Sequence, residues 1–209
     1  MSLAIVNYGI GNLRSVQKAF ESVGTAAVLA TDADTIRTAD RVVLPGVGAF
    51  KDCVDSFKRS GMVDAVLDHI KSGKPFLGIC VGMQMLFDVG CEDGEHAGLG
   101  VLKGKVDRFD VDTTLGLKVP HMGWNQLTQK KPSPLLKDLP SDCGVYFVHS
   151  YHCVADDQSI IATTTDYGRP FVSSVWRDNV MATQFHPEKS QKVGLQILAN
   201  FAQMADQSR

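Results

Sequence analysis

A cysteine between two glycines has the clearest chemical potential in this chain. Cys80 lies in the segment G-I-C-V-G, residues 78–82, after an apolar run predicted to be a strand and before a helix predicted over 81–89. A tight strand-to-helix turn presents a nucleophile at the carboxyl end of a sheet, and glycines supply the backbone freedom that such a turn needs. A thiol there could attack an acyl carbon, whereas a lone cysteine more often only fills space in an α/β core.

A histidine and a carboxylate with the spacing of a base and its orienting group follow far downstream. His186 and Glu188 lie in the segment Q-F-H-P-E, residues 184–188, after a predicted strand. Pro187 favours an extended backbone at His186, and residues two apart in an extended segment lie on the same side. The carboxylate can then orient the imidazole and stabilise its protonated form, as a cysteine nucleophile requires. We therefore predict that Cys80, His186 and Glu188 are catalytic.

The elements that must position these residues predict an α/β fold. In the first half, strands predicted at 3–7, 26–30, 41–44 and 74–79 alternate with helices predicted at 13–23, 62–71 and 81–89. This alternation favours a mostly parallel central sheet flanked by helices, with functional groups at the carboxyl ends of its strands. In the second half, predicted strands follow one another without helices, at 98–109, 118–119, 144–148, 160–165, 172–176 and 180–185, before a last helix at 193–204. We expect an additional antiparallel or mixed strand region there, within a single domain spanning 1–209.

Composition narrows the classes of protein to which the chain can belong. Its 209 residues can bury a substantial core, and a net charge of −2 gives no electrostatic case for binding nucleic acid or a membrane surface. No apolar run approaches a membrane span, and the N-terminus lacks the features of a signal peptide. The five cysteines are odd in number and irregularly spaced, which favours a reducing, cytoplasmic location. The four other than Cys80 lack its setting, and we expect them to tolerate alanine.

The order Cys80, His186, Glu188 along the chain resembles the triad of the class I glutamine amidotransferases, and the resemblance spans nearly the whole chain. Two more segments, L-P-G-V-G-A-F at 44–50 and P-H-M-G-W-N at 120–125, resemble one branch of that family, the glutaminase subunits of imidazole glycerol phosphate synthases. The resemblance implies that Cys80 attacks the side-chain amide of glutamine. It also implies that the ammonia released passes to a separate cyclase subunit, a (β/α)₈ barrel forming a heterodimer with this chain. That subunit makes imidazole glycerol phosphate and an aminoimidazole carboxamide ribonucleotide in histidine biosynthesis. No cofactor and no metal are implied.

Amide hydrolysis also needs hydrogen-bond donors for the developing oxyanion. We predict that the backbone N–H groups of Val81 and of Val47 or Gly48 supply them. Glycines on both sides of Val47 would let its peptide rotate, which raises the hypothesis that the hole is unformed in the resting enzyme. The resemblance implies glutamine contacts at Gly48, Gln84, Glu92, Ser150 and Tyr151. It also implies contacts with the partner at Ile10, Asn12, Pro120, Met122, Trp124, Asn125 and Lys189.

Other interpretations remain open at this stage. A glutaminase of another synthase, such as pyridoxal phosphate synthase, would share the triad but not the segment 120–125. A non-catalytic nucleotide-binding or adaptor protein could use the loop 9–14, although that loop has Arg14 where a dinucleotide fingerprint has its third glycine. Several potential metal ligands have spacings that match no zinc ribbon or finger, and we interpret them as packing or surface residues: Cys143, His149, His152 and Cys153.

Overall fold

Alternating strands and helices form the first half of the chain. The computed structural model describes residues 1–111, 114 and 116–204. The elements of this half are β1 (Leu3–Val6), α1 (Leu13–Ser22), β2 (Ala27–Ala30), α2 (Ala33–Thr38), β3 (Arg41–Gly46), α3 (Phe50–Arg59), α4 (Val63–Lys71), β4 (Phe76–Cys80) and the single-turn α5 (Val81–Gln84). Strands β1, β3 and β4 are buried at every position, as strands covered by helices on both faces must be.

Strands dominate the second half. They are β5 (Phe87–Gly90), β6 (His96–Ala97), β7 (Leu102–Arg108), β8 (His121–Gln126), β9 (Thr128–Gln129), β10 (Gly144–His149), β11 (Tyr151–Ala155), β12 (Ile161–Asp166), β13 (Pro170–Arg177) and β14 (Val180–Thr183). Short 3₁₀ turns occupy Pro134–Leu136, Gln158–Ile160 and Pro187–Lys189, and α6 (Gln191–Ala202) follows the last of them. Among the described residues, no helix combines the length and the apolar content needed to cross a bilayer.

One large sheet joins the two halves of the chain. Its order is β2-β1-β3-β4-β14 with parallel neighbours throughout, followed by β13, β11, β7, β5 and β6. In the second part most neighbouring strands are antiparallel, and β12 and β9 extend the sheet beyond β13. Strands β8 and β10 form a separate antiparallel pair. The predicted fold class, a parallel sheet flanked by helices with an antiparallel region, is confirmed. The carboxyl ends of β3, β4 and β14 meet at one edge, where the predicted site lies.

Several predicted elements are wrong in detail. The helix predicted over 81–89 ends after one turn, and the fully buried Phe87 begins strand β5 instead. A short apolar run does not distinguish a helix from a buried strand. The strand predicted at 118–119 is absent, and strand β8, for which no element was predicted, begins two residues later at His121. Helices α2 and α3 and strand β11 were not predicted.

Close packing explains both glycines that flank Cys80. A Cβ on Gly78 would lie 2.8 Å from the Gly82 carbonyl oxygen, and one on Gly82 would overlap the Leu44 carbonyl oxygen. Gly46 is as constrained, since its Cβ would lie 2.8 Å from the Gly82 nitrogen. Contact between β3 and the turn after β4 therefore depends on these glycines, beyond any freedom that they give the backbone.

Candidate active site

Cys80, the predicted nucleophile, is the last residue of β4 and the N-cap of α5, and its backbone is strained. Its φ of 55° and ψ of −113° lie in a region that non-glycine residues rarely adopt. Such a conformation costs of order 1–3 kcal/mol and persists only where the surrounding packing imposes it. The side chain is held at the floor of a cleft, with the residue only 3% exposed.

His186 and Glu188 form a buried pair beside it. The His186 Nδ1 atom lies 2.8 Å from Glu188 Oε1, and both side chains are nearly inaccessible to solvent. The backbone N–H of His186 donates to the Tyr146 carbonyl at 3.0 Å, which fixes the residue as the chain leaves β14. The Pro187–Lys189 turn then brings Glu188 back under the imidazole. Because Nδ1 faces the carboxylate, Nε2 is the atom left for proton transfer.

Electrostatics make this histidine a strong base. Burial disfavours the imidazolium, but the negative charges of Cys80 and Glu188, with their hydrogen bonds, outweigh burial and raise the pKa of His186 to about 10. Apart from the Cys80 sulfur, its buried Nε2 atom has no hydrogen-bond partner within the described residues. The Glu188 contact at Nδ1 therefore orients Nε2 toward Cys80, where it can exchange a proton with a reacting group.

A cleft of about 660 Å³ surrounds these groups. Its lining includes the three residues predicted to supply oxyanion donors, Val47, Gly48 and Val81. It also includes every predicted glutamine contact: Gly48, Gln84, Glu92, Ser150 and Tyr151. Three predicted partner contacts complete it: Asn12, Pro120 and Lys189. Gly11, Val148 and His149 also line it. Residues far apart in the sequence therefore share one cavity with Cys80 and His186.

Two buried side chains that the sequence did not single out contact residues 45–48, which carry the predicted oxyanion donors Val47 and Gly48 and are called the oxyanion segment below. The Tyr8 hydroxyl donates to the Pro45 carbonyl at 2.8 Å, and the Cys53 thiol donates to the Val47 carbonyl at 3.3 Å. The Pro45 and Val47 carbonyls, which lie on either side of the Gly46–Val47 peptide, therefore both accept a side-chain hydrogen bond. The sequence predicts that Cys53 tolerates alanine, but its contact with the Val47 carbonyl leads us to expect that alanine lowers activity there.

Gln184 is a further residue whose role the sequence did not reveal. It is fully buried; its amide nitrogen faces Cys80 Sγ at 3.7 Å, and its amide oxygen accepts from Gln84 Nε2 at 3.0 Å. Gln84 Nε2 also donates to the Tyr151 carbonyl at 3.2 Å. Its position two residues before His186 in an extended segment is the signal that could have placed Gln184 on the same side.

Glu92 joins the cleft to the helix that follows the oxyanion segment. Its Oε2 atom accepts a 2.6 Å hydrogen bond from the backbone N–H of Phe50, in the first turn of α3. A carboxylate at a helix N-terminus is a favourable arrangement, because it pairs with the N–H groups that the helix leaves open. The other carboxylate oxygen remains as the group that could meet a cation in the cleft.

The remaining predicted partner contacts differ in their environments. Met122 and Trp124 are 66% and 52% exposed and point the same way from β8. The Trp124 ring packs edge-on against Tyr146, whose ring also lies 5.9 Å from Lys189 Nζ. Ile10 is half-buried against the core. The side chain of Asn125, described below, makes hydrogen bonds within the chain.

The potential metal ligands noted in the sequence lie in the interior. Cys143, His149, His152 and Cys153 are all buried. Within the described part of the chain, no three His, Cys, Asp or Glu side chains are arranged to hold a metal ion.

Comparison with known proteins adds the family to this geometry. The sequence profile described as Glutamine amidotransferase class-I matches residues 4–205. The chain belongs to the class I glutamine amidotransferases. The family resemblance based on Cys80, His186 and Glu188 is therefore confirmed.

A relative from Syntrophotalea carbinolica is 55% identical over 205 residues, covering 97% of this chain and 100% of the relative. One from Geobacter sulfurreducens is 52% identical over 97% of this chain and 98% of the relative. One from Aquifex aeolicus is 51% identical over 99% and 98%. Each is named imidazole glycerol phosphate synthase subunit HisH, in agreement with the branch that the sequence resembles.

Solved structures of amidotransferases share the fold. A structure described as a glutamine amidotransferase superposes with a TM-score of 0.74 at 17% identity, covering 98% of this chain and 100% of the other. The structure of PurLQS from Thermotoga maritima gives a TM-score of 0.72 at 18% identity over 96% of both chains. At this identity the likeness supports the fold.

Proposed function

We propose that this amidotransferase hydrolyses glutamine to glutamate and ammonia as the glutaminase subunit of an imidazole glycerol phosphate synthase. The observation that carries the proposal is the meeting of Cys80 with the His186–Glu188 pair in one cleft, at the carboxyl ends of β4 and β14. The names of the relatives that share about half of its residues support this particular synthase. The domain spans 1–209 in this proposal.

The first half-reaction is acyl transfer to the thiol. The Cys80 sulfur attacks the side-chain amide carbon of glutamine, and the carbonyl oxygen becomes an oxyanion. The backbone N–H of Val81 and one from Val47 or Gly48 stabilise that charge, and one such donor is worth about 10²–10³ in rate. As the C–N bond breaks, His186 Nε2 gives its proton to the leaving nitrogen, and ammonia departs from a thioester.

The second half-reaction releases glutamate. His186, now neutral, takes a proton from water as the water attacks the thioester carbon. The C–S bond then breaks and returns the sulfur of Cys80 as a thiolate. Glu188 holds the imidazole through Nδ1 in both half-reactions, so that Nε2 always faces the reacting atoms.

Recognition of glutamine fits the polar lining of the cleft. Gln84 has both amide hydrogens engaged by other groups, so its oxygen is the atom available to a substrate donor. The unengaged oxygen of Glu92 can meet the α-ammonium group. Gly48, Ser150 and Tyr151 complete the contacts through backbone groups.

Ammonia is used on another chain in this proposal. The partner is the (β/α)₈-barrel cyclase, which combines ammonia with a phosphoribosyl-formimino carboxamide nucleotide to give imidazole glycerol phosphate. The exposed apolar residues Met122 and Trp124, with Lys189 nearby, support a partner surface next to the cleft. The free thiols of all five cysteines support a cytoplasmic location.

Covalent labelling by a glutamine-analogue electrophile tests the nucleophile. Mass spectrometry should find one equivalent of label on Cys80, and excess glutamine should protect it. Cys91, which is more exposed than Cys80, is the matched control, because Cys91→Ala should be labelled like the wild type. Label on Cys91 instead, or no protection by glutamine, would contradict the assignment.

A second test concerns the partner. Co-expression with a barrel-type cyclase should yield a 1:1 complex in which glutamine supports formation of the imidazole product. Failure to bind that cyclase, with intact glutamine hydrolysis, would assign the chain to a different synthase.

A further inference from the structure

Two buried histidines outside the triad face each other across the small sheet. His121 of β8 and His149 of β10 are directly opposite in register, and both are nearly inaccessible to solvent. Neither takes part in the steps above. Aromatic rings surround them within 4.0 to 6.2 Å between ring centroids, namely Phe109, Phe147, Tyr167 and Phe171.

Hydrogen bonds link the two rings into a chain, and the group at each end of that chain has a fixed role as donor or acceptor. At one end, His149 Nδ1 lies 2.8 Å from the Tyr151 carbonyl oxygen, which can only accept. At the other, Asn125 Nδ2 donates to the Asp166 carbonyl at 2.8 Å, which identifies that atom as the nitrogen. The same nitrogen lies 3.2 Å from His121 Nε2, and His121 Nδ1 lies 3.1 Å from His149 Nε2.

The direction of every bond follows from those two ends. Asn125 donates to His121 Nε2, so the proton of His121 is on Nδ1 and is donated to His149 Nε2. The proton of His149 is then on Nδ1 and is donated to the Tyr151 carbonyl. Each ring is a neutral imidazole with one donor and one acceptor in use. We call this chain of Asn125, His121, His149 and the Tyr151 carbonyl the histidine strut.

An added proton has no place in the histidine strut. On His121 it would face the amide hydrogens of Asn125, and on His149 it would face the N–H of His121. Burial lowers the pKa of His121 to about 4. Burial, together with nearby His121, His152 and His186, lowers the pKa of His149 to about 3 even though the Tyr151 carbonyl opposes this. The charged side chains nearest to this cluster act on His152: Arg169, Asp107 and Lys105.

The histidine strut connects two places that matter for the proposed reaction. The Tyr151 carbonyl also accepts from Gln84, which in turn bonds Gln184 beside the nucleophile. At its other end, His121 and Asn125 belong to β8, the strand that carries the exposed Met122 and Trp124. One continuous set of hydrogen bonds therefore runs from that strand to the floor of the cleft.

We propose that His121 and His149 are positioning residues: they hold the Tyr151 carbonyl, and through it Gln84, in place for glutamine, and they tie that carbonyl to β8. The proposal rests on the proposed glutaminase function. It predicts two separable effects, one on glutamine binding and one on the response of the cleft to a partner seated on β8.

Nuclear magnetic resonance of the isolated chain with ¹⁵N-labelled histidine tests the histidine strut without any activity. Both rings should be neutral and protonated at Nδ1, with no titration between pH 5 and 8. A scalar coupling should join His121 Nδ1 to His149 Nε2 across the hydrogen bond. Titration of either ring in that range, or protonation at Nε2, would overturn the proposal.

Glutamine hydrolysis by the complex with the cyclase tests the positioning. His149→Phe keeps an aromatic ring but removes both hydrogen bonds of His149. Because the Tyr151 carbonyl then loses one donor, KM for glutamine should rise about 3–10-fold, with little change in kcat. His149→Asn retains a nitrogen in the position of Nδ1, and should restore KM to within about twofold. It lacks the link to His121, so its stimulation by the partner should remain reduced by about threefold or more.

His152→Phe is the matched control. His152 stacks on the same Phe109 ring but lies outside the histidine strut, so this variant should keep the wild-type KM and stimulation. If it reproduces the effects of His149→Phe, or if His149→Phe changes neither quantity, the positioning role is wrong. If the wild-type complex hydrolyses no glutamine, the proposed function fails, and the resonance measurement alone decides the histidine strut.

Discussion

Replacing His149 by phenylalanine should make the protein less sensitive to acid. The pKa of His149 is about 3 in the folded chain, chiefly because of burial, against a reference value of 6.5. As the pH falls below 6.5, the unfolded chain takes up a proton at this position and the folded chain does not. Stability from the neutral ring is therefore complete above pH 6.5 and is lost progressively as the pH falls toward 3.

The size of the effect follows from the two pKa values. Each pH unit within that window changes the free energy of unfolding by up to about 1.4 kcal/mol for one such group. Between pH 8 and pH 5 the sum is about 2 kcal/mol. At pH 8 the variant should be less stable by about 1–3 kcal/mol, because the N–H of His121 loses its buried acceptor. The difference between the two proteins should therefore shrink by about 2 kcal/mol on going to pH 5.

Urea unfolding of both proteins at several values between pH 5 and pH 8 measures this difference. The carboxylates and His186 titrate in both proteins and cancel in the comparison. Phe147→Leu is the control, since it disturbs the same aromatic cluster without removing a titrating group, and its difference from wild type should not depend on pH. A His149→Phe difference that is equally constant between pH 5 and pH 8 would refute the neutral, buried state of this histidine.

Three further predictions concern the reaction. Cys80→Ala should release no glutamate while Cys91→Ala retains wild-type turnover; glutamate formation by both variants decides this. His186→Ala should be slower than Glu188→Gln in single-turnover assays, because the first loses the proton carrier and the second only its orientation; the reverse order would show that their roles are misassigned. Cys53→Ala should lower kcat about 2–10-fold through loss of its hydrogen bond to the oxyanion segment, with partial recovery in Cys53→Ser; equal kcat values in both variants and wild type would rule out that role.

The parallel half of the fold could be predicted because its strands are short apolar runs between helical patterns and turn residues. Cys80 and His186 could be placed at one edge for the same reason, since chain direction alone sends the ends of β4 and β14 to one side. The end of α5 could not be predicted, because the apolar run from Met85 to Phe87 has no period that separates helix from strand.

The histidine strut could not be predicted from the sequence, for a different reason. His121 and His149 meet only because β8 and β10 pair in one register, and a shift of one residue would send one of them to the opposite face. A single sequence does not contain that register. The contact between Cys53 and the oxyanion segment is similar, since it depends on how α3 turns back beneath the loop that precedes it.

The positive φ of Cys80 has a consequence for the evolutionary history of such a domain. Alanine at this position would retain the unfavourable backbone, whereas glycine would relieve it, so Cys80→Gly should be more stable than Cys80→Ala by about 1 kcal/mol. Selection for activity keeps a strained residue at the point where the chain would be more stable without a side chain. A copy of this gene released from that selection would gain stability by drifting to glycine there, and so would lose its nucleophile without losing its fold.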